Sequence, residues 1–264
     1  MAKAKHYIPA LGADWLTPLY DPLLRWVMRE AQFKRYLIRQ ARIEPGQRVL
    51  DLGCGTATLT TPALRAGASV MLKQAHPGTT VIGLDGDAKV LEIGRAKAQR
   101  AGVDVELDEG MAYQLPYPDQ SFDRVLSSLV LHHLSPDDKR RALSEVYRVL
   151  RPGGELHVVD FGKPHTAWGR LIAPVMGRLE QAADNLQGRL PALFQDAGFE
   201  SVAQPARFAT VFGTLAVYQA QKPVRAASAG CFSTPVCPDD GGYDRSTSHR
   251  MQPPRAETRP GGLC

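Results

Sequence analysis

Val49-Leu50-Asp51-Leu52-Gly53-Cys54-Gly55-Thr56-Ala57 decides how this chain is read. It is an apolar strand that runs into a glycine turn and then toward a helix. Glycine at 53 and 55 lets the backbone turn sharply and lets a ligand lie against bare main chain. Asp51 stands just before the turn, where its carboxylate faces the carboxyl end of a parallel sheet, the edge at which open α/β sheets bind ligands. A dinucleotide fingerprint requires a third glycine at position 58, which is Thr58, so the loop lacks the glycine that allows close packing beneath a pyrophosphate. An acidic residue two places before the first glycine instead suits a ligand with a cationic amino-acid tail. Taken alone, the segment also reads as a plain strand–helix turn.

The neighbouring segments narrow this. Val81-Ile82-Gly83-Leu84-Asp85 is a second apolar run ending in a carboxylate, with Gly86 after it. An acid at the end of the adjacent strand accepts from both hydroxyls of a ribose. Glu109-Gly110-Met111-Ala112 follows, and the stretch from Ser121 to Leu134 supplies another strand and its mouth, ending in His132-His133.

The ordered series LDLGCGTA, VIGLD, EGMAYQLPYPDQSFDRVLSSLVLHHL and LRPGGELHVVDFGKP resembles the class I S-adenosylmethionine-dependent methyltransferases. It looks closest to the type 11 branch that includes quinone-biosynthesis and phospholipid methyltransferases, over residues 45 to 220. Four motifs in order are far more specific than one glycine loop. The resemblance implies an α/β fold, a Rossmann-like doubly wound sheet, mostly parallel with an antiparallel last strand and helices on both faces. It implies S-adenosyl-L-methionine as methyl donor, with Asp51, Gly53 and Gly55 at its methionine end, Asp85 on the ribose, and Met111 and Ala112 at the adenine. Cys54, Gly86 and Ser128 complete the expected donor-binding set.

The chain departs from the family pattern in three places. Ala57 stands for the third loop glycine. Met111 replaces an aspartate that accepts from the adenine amino group, and a thioether packs on a purine but accepts poorly. The ribose acid usually follows the turn by about 20 residues, and Asp85 lies well beyond that. The excess falls in residues 61–70, where Pro62 and Gly67 disfavour a helix interior by roughly 3 and 1 kcal/mol. We read 61–70 as an insertion that breaks or extends the first crossover helix, or as a run whose proline sits in a helix's first turn.

A chain of 264 residues, 44% hydrophobic with net charge +5, fits a single α/β core with appendages. Residues 1–45 read as an N-terminal helical cap with a stripe of Leu23, Leu24, Val27, Met28, Ala31, Leu37, Ile38 and Ala41. Packing on the sheet is the simplest role for it. In related enzymes such a helix covers the donor, which puts Tyr20 at the substrate. Residues 46–221 form the methyltransferase domain, and 222–264 read as a disordered tail. Arg25, Arg29, Lys34, Arg35, Arg39 and Arg42 suit one solvated helix face, which also suits peripheral contact with an anionic membrane. No signal peptide or membrane span is evident, so a cytoplasmic location is the default. Cys54, Cys231, Cys237 and Cys264 show neither metal-ligand spacing nor a disulfide framework.

Farther along, Ser135 and Asp138 frame a helix over 136–150 with Pro136 in its first turn. Leu156–Asp160 reads as a strand, 164–193 as helical, and Phe199–Val202 and Arg207–Gln219 as closing strands. Candidate catalytic residues are His132 and His133, one of which points into the cavity if strand alternation holds; equally, both pack locally. Histidine is the usual proton acceptor near neutral pH. His157 and His165 are weaker candidates, and no metal site is expected. Ser127-Ser128-Leu129-Val130 stands where amino-methylating nucleic-acid enzymes carry an Asn/Asp-Pro-Pro-aromatic run, so no nucleic-acid partner is expected. The expected acceptor is a small lipid-like or aromatic molecule. A donor-binding but catalytically impaired protein is the alternative, and the sequence assigns no oligomeric state.

Overall fold

A computed structural model of the chain describes residues 30–55, 68–179 and 181–224. Its strands are β1 (Arg48–Leu52), β2 (Thr80–Asp85), β3 (Glu106–Glu109), β4 (Phe122–Ser128), β5 (Leu150–Phe161), β6 (Glu200–Thr210) and β7 (Gly213–Gln221). They form one sheet in the order β3-β2-β1-β4-β5-β7-β6. β3 through β5 are parallel, whereas β7 runs antiparallel to both β5 and β6. The chain thus winds outward from β1 in one direction and then from β4 in the other. That reversal opens a crevice above the carboxyl ends of β1 and β4, the place where such sheets hold ligands.

The period-2 alternation of strand side chains builds two cores. Leu50, Val125, Leu156 and Val158 join Leu143 and Val146 on one face, with Leu190 and Phe194. Val49, Leu126, Val159 and Val217 join Phe33, Leu37, Leu72 and Met176 on the other. The helices that supply these residues are α1 (Glu30–Gln40), α2 (Ala68–Ala75), α4 (Pro136–Val149), α5 (Ala167–Leu179) and α7 (Leu190–Asp196), with α3 (Ala88–Ala101) and the short α6 (Ala183–Leu186) between them. The expected sheet, with helices on both faces and an antiparallel last strand, is the one found.

Local chemistry explains the helix ends. Ser135 accepts from the Asp138 amide with Pro136 in the first turn, as expected for α4. At the other end, Lys222 Nζ donates to the carbonyls of Tyr147 and Leu150, both at 2.7 Å. Tyr147 lies in the last turn, whose carbonyls have no partner in the helix ladder, and Leu150 is the residue that follows it. Asp87 caps α3 by accepting from the Lys89 amide, and Gly102 closes it with a φ of 65°.

Several boundaries differ from the sequence reading. α4 stops at Val149 and β5 begins at Leu150, so Pro152-Gly153-Gly154 lies inside a strand instead of ending a helix. The pairing of β4 with β5 is irregular between Phe122 and Arg124, which accommodates that proline-glycine segment. The segment 164–193, read as helical, holds α5, α6 and the start of α7. Arg207–Thr210 belongs to β6, and the two closing strands are a hairpin turning at Val211–Phe212. Lys34 is buried, so it does not belong to the solvated basic face on which Arg35 and Arg39 lie. Tyr20, Arg25, Arg29, residues 61–67 and the tail beyond 224 lie outside the described residues. So do the stripe residues Leu23, Leu24, Val27 and Met28.

Leu37 is 2% exposed within the second core. Truncating a buried leucine costs about 2–5 kcal/mol. Leu37→Ala should therefore lower the urea unfolding midpoint of the whole domain by a corresponding amount. A change under about 0.5 kcal/mol, typical of a surface site, would show that α1 is a detachable cap.

Candidate functional site

The turn after β1 is tied to the end of β2. The Gly53 and Cys54 amides both donate to the Leu84 carbonyl, at 2.8 and 3.0 Å. Gly55 then donates to Asp85 Oδ2 at 2.9 Å, and Asp87 to Asp85 Oδ1 at 3.1 Å. Gly53 holds a φ of 68°, and a Cβ there would collide with the Val130 side chain. Only glycine takes this left-handed conformation without cost, and only glycine leaves the Val130 side chain room. On the far side of β2, Gly110 donates to the Asp85 carbonyl at 2.9 Å. Met111 Sδ would lie 3.1 Å from a Cβ on Gly86, so this thioether sits directly on that glycine. Ala112 packs against the first core. Asp51, Gly53, Cys54, Gly55, Asp85, Gly86, Met111 and Ala112 are thus brought together along the carboxyl ends of β1, β2 and β3.

The two carboxylates are electrostatically unusual. Asp51 is 1% exposed, and its Oδ2 accepts from Ser69 Oγ at 2.6 Å. Burial pushes its carboxyl above the ordinary value, against the pull of the Ser69 hydroxyl and the Lys34 ammonium. Asp85 is raised as well, again chiefly by burial, with the Gly55 and Asp87 amides acting in the opposite sense. An ionised carboxylate offers about four acceptor positions, so the two amides leave Asp85 capacity for further donors. Burial and the adjoining carboxylates push the Cys54 thiol upward, which keeps it protonated as a packing group. Ser69 and Val70 lie in the first turn of α2, within the run read as an insertion. The end of that run therefore supplies a hydrogen bond to Asp51.

β4 ends in Ser127 and Ser128, whose hydroxyl oxygens are buried with no hydrogen-bond partner among the described residues. Leaving such a group unpaired costs about 1–3 kcal/mol.

His132 and His133 do not continue β4. They lie in a single 3-10 turn, Leu131–His133, so strand alternation does not govern them. His132 is buried and His133 exposed, with ring centroids 3.9 Å apart. His132 Nδ1 lies 2.8 Å from Asp160 Oδ1. Asp160, at the end of β5, also accepts from the amides of Leu131, His132 and Phe161 and from Asn185 Nδ2. Burial alone would raise this carboxyl, but the His132 ring and these donors hold it below the ordinary value. An ionised Asp160 accepts only, so Nδ1 carries the proton and Nε2 is the basic nitrogen. The Asp160 role was not anticipated, although its place at the end of the Leu156–Asp160 run was a usable signal. His157 instead pairs with Glu155 at 2.9 Å, and His165 with Thr214 at 2.8 Å. No metal-binding group of His, Cys, Asp or Glu occurs among the described residues.

Asp51→Asn isolates the cost of the buried carboxylate. Because its folded-state value is raised, Asp51 favours folding most when protonated, below the unfolded value of about 3.9. That contribution is lost as pH rises through the elevated folded value. The variant should melt higher than the native protein at neutral pH, with the gap closing toward pH 4. A lower melting temperature at pH 7 would show that the Ser69 and Lys34 interactions outweigh burial.

A family model described as a methyltransferase domain matches residues 49–154. The demethylmenaquinone methyltransferase of Listeria welshimeri is 31% identical over 211 residues, covering 71% of this chain and 85% of that protein. The ubiquinone/menaquinone biosynthesis C-methyltransferase UbiE of Vibrio parahaemolyticus is 33% identical over 192 residues, covering 64% and 70%. Among solved structures, a phosphoethanolamine N-methyltransferase 2 of Haemonchus contortus, in complex with S-adenosylhomocysteine, superposes with a TM-score of 0.63. It is 15% identical, covering 82% of this chain and 61% of that one. With this sheet order and these relatives, the chain belongs to the class I S-adenosylmethionine-dependent methyltransferases, in the quinone-methyltransferase branch.

Proposed function

We propose that this methyltransferase alkylates a ring carbon of a quinone-class acceptor that carries an apolar tail, taken from a membrane surface. The observation that carries this reading is an exposed apolar ridge at the same end of the sheet as the His132–Asp160 pair. Trp168, Leu171 and Val175 of α5 are 52%, 70% and 52% exposed, and Val211 at the tip of the β6–β7 hairpin is 42% exposed. Trp168 Nε1 donates to the Val211 carbonyl at 2.8 Å, which joins helix and hairpin. Contiguous exposed apolar side chains of this kind mark interaction sites, and tryptophan suits a membrane interface. The names of the relatives supply the acceptor class and the carbon as methyl acceptor. No helix among the described residues is long and apolar enough to cross a membrane.

S-adenosyl-L-methionine is the methyl donor, and the residues present fit it. Asp51, bordered by Gly53 and Gly55, would meet its ammonium; Asp85 would take the ribose hydroxyls; Gly86, Met111 and Ala112 would flank the adenine; and Ser128, whose hydroxyl has no partner among the described residues, would border it. Bound there, the donor supplies an electrophilic methyl on a sulfonium, and alignment with the attacking atom supplies much of the rate. With the acceptor in its reduced quinol form, His132 Nε2 takes the proton of a ring hydroxyl, while Asp160 holds the imidazole and favours the imidazolium that forms. The released electron pair spreads to the neighbouring ring carbon. That carbon would take the methyl group, the sulfur–methyl bond breaking as the new bond forms, and loss of its proton would restore the aromatic ring. His133, exposed beside His132, has a secondary part at the mouth. Nothing in the described residues or in the relatives favours the catalytically impaired alternative.

His132→Gln should lower kcat by about 10²–10⁴, the usual contribution of a general base, with little change in donor affinity by calorimetry. Retained kcat would remove His132 from the mechanism. Trp168→Asp with Val211→Asp should raise KM for a tailed acceptor in anionic vesicles by about tenfold or more, since each buried methylene contributes about 0.8 kcal/mol. The same pair should leave turnover of a tail-less acceptor in solution unchanged. Equal loss on both acceptors would contradict the membrane reading.

A further inference from the structure

The fold holds a second cavity, of about 620 Å³, between α1 and the outer strands β6 and β7. Its volume lies in the range of small-molecule sites, about 300–1,000 Å³. Tyr36 and Phe208 form one wall, edge to face with ring centroids 5.7 Å apart. Arg39 and Arg42 line it as well, together with Gln40 and Gln219. Gln40 Nε2 donates to Gln219 Oε1 at 3.2 Å, and Gln219 Nε2 donates to Glu155 Oε2 at 3.3 Å. Gln40 Oε1 is buried with no partner among the described residues. The nearby carboxylate, Glu155, is already engaged by His157 at 2.9 Å and by Arg124 at 3.8 Å. It also attracts Arg42, so a single carboxylate is shared between Arg42 and Arg124 while Arg39 adds a further positive charge at the cavity.

This cavity is not an arm of the donor site. Helix positions advance by about 100° per residue, so Lys34 projects from the side of α1 opposite Gln32, Tyr36 and Gln40. Lys34 acts on Asp51, whereas Gln32, Tyr36 and Gln40 line the cavity. The helix thus separates the two.

We infer that the cavity is a second ligand site, for an anionic molecule with a planar aromatic body. The ring packs on Tyr36 and Phe208, and the anion meets Arg39 and Arg42. The inference does not rest on the proposed acceptor.

A fluorescence titration of the full chain with 8-anilino-1-naphthalenesulfonate tests it, since this probe carries a fused ring and an anion. Saturable binding should persist unchanged under saturating S-adenosylhomocysteine. N-phenyl-1-naphthylamine, which lacks the sulfonate, should bind at least about tenfold more weakly, as expected for loss of charge-assisted hydrogen bonds. Arg39→Ala with Arg42→Ala, at two exposed positions, should produce a similar loss. Displacement by S-adenosylhomocysteine, equal affinity for the two probes, unchanged binding by the folded arginine variant, or no binding at all would overturn the assignment.

Discussion

The site depends on one constraint: the backbone after β1 is fastened to the end of β2. Gly53 and Cys54 share the Leu84 carbonyl, and Gly55 reaches the Asp85 carboxylate. A side chain at Gly53 would displace Val130, which opens the turn carrying His132. One backbone conformation therefore sets the glycine surface, the ribose carboxylate and the approach to the histidine together. This is why the loop tolerates so little, although it makes few side-chain contacts of its own.

Buried carboxylates separate into two kinds. Asp160 has its acceptor positions filled by backbone and side-chain donors and sits below its ordinary value, as a finished structural element does. Asp51 and Asp85 are raised by burial and incompletely satisfied. Charge left uncompensated in a fold is costly unless a ligand completes it. In the proposed complex the donor's ammonium and ribose hydroxyls supply what the protein omits, so part of the binding energy comes from relieving this cost.

Much of this was legible in the chain. Glycines and acids at strand ends declare themselves because backbone conformation and ligand chemistry restrict them to few residue types. The α4 cap is equally local, with Ser135, Pro136 and Asp138 adjacent in sequence. What escaped notice was non-local. Asp160 becomes the partner of His132 only because β4 and β5 lie side by side, and Lys34 faces Asp51 only because α1 crosses the sheet. The Leu150 boundary was hidden because Pro152-Gly153-Gly154 ordinarily ends an element, whereas here irregular pairing with β4 absorbs it. Ser69 falls in the run whose excess spacing, proline and glycine read as an insertion, yet it holds the Asp51 carboxyl.

The central claim is carbon methylation through the Asp51–Asp85 cradle and the His132–Asp160 pair. Its most direct test is carbon-13 NMR of the product formed from S-adenosylmethionine labelled at the methyl carbon, with a demethylated quinol in lipid vesicles as acceptor. The account predicts label only in a methyl group bonded to ring carbon. Label in an O-methyl or N-methyl group, or no product from protein that binds the donor, would contradict it.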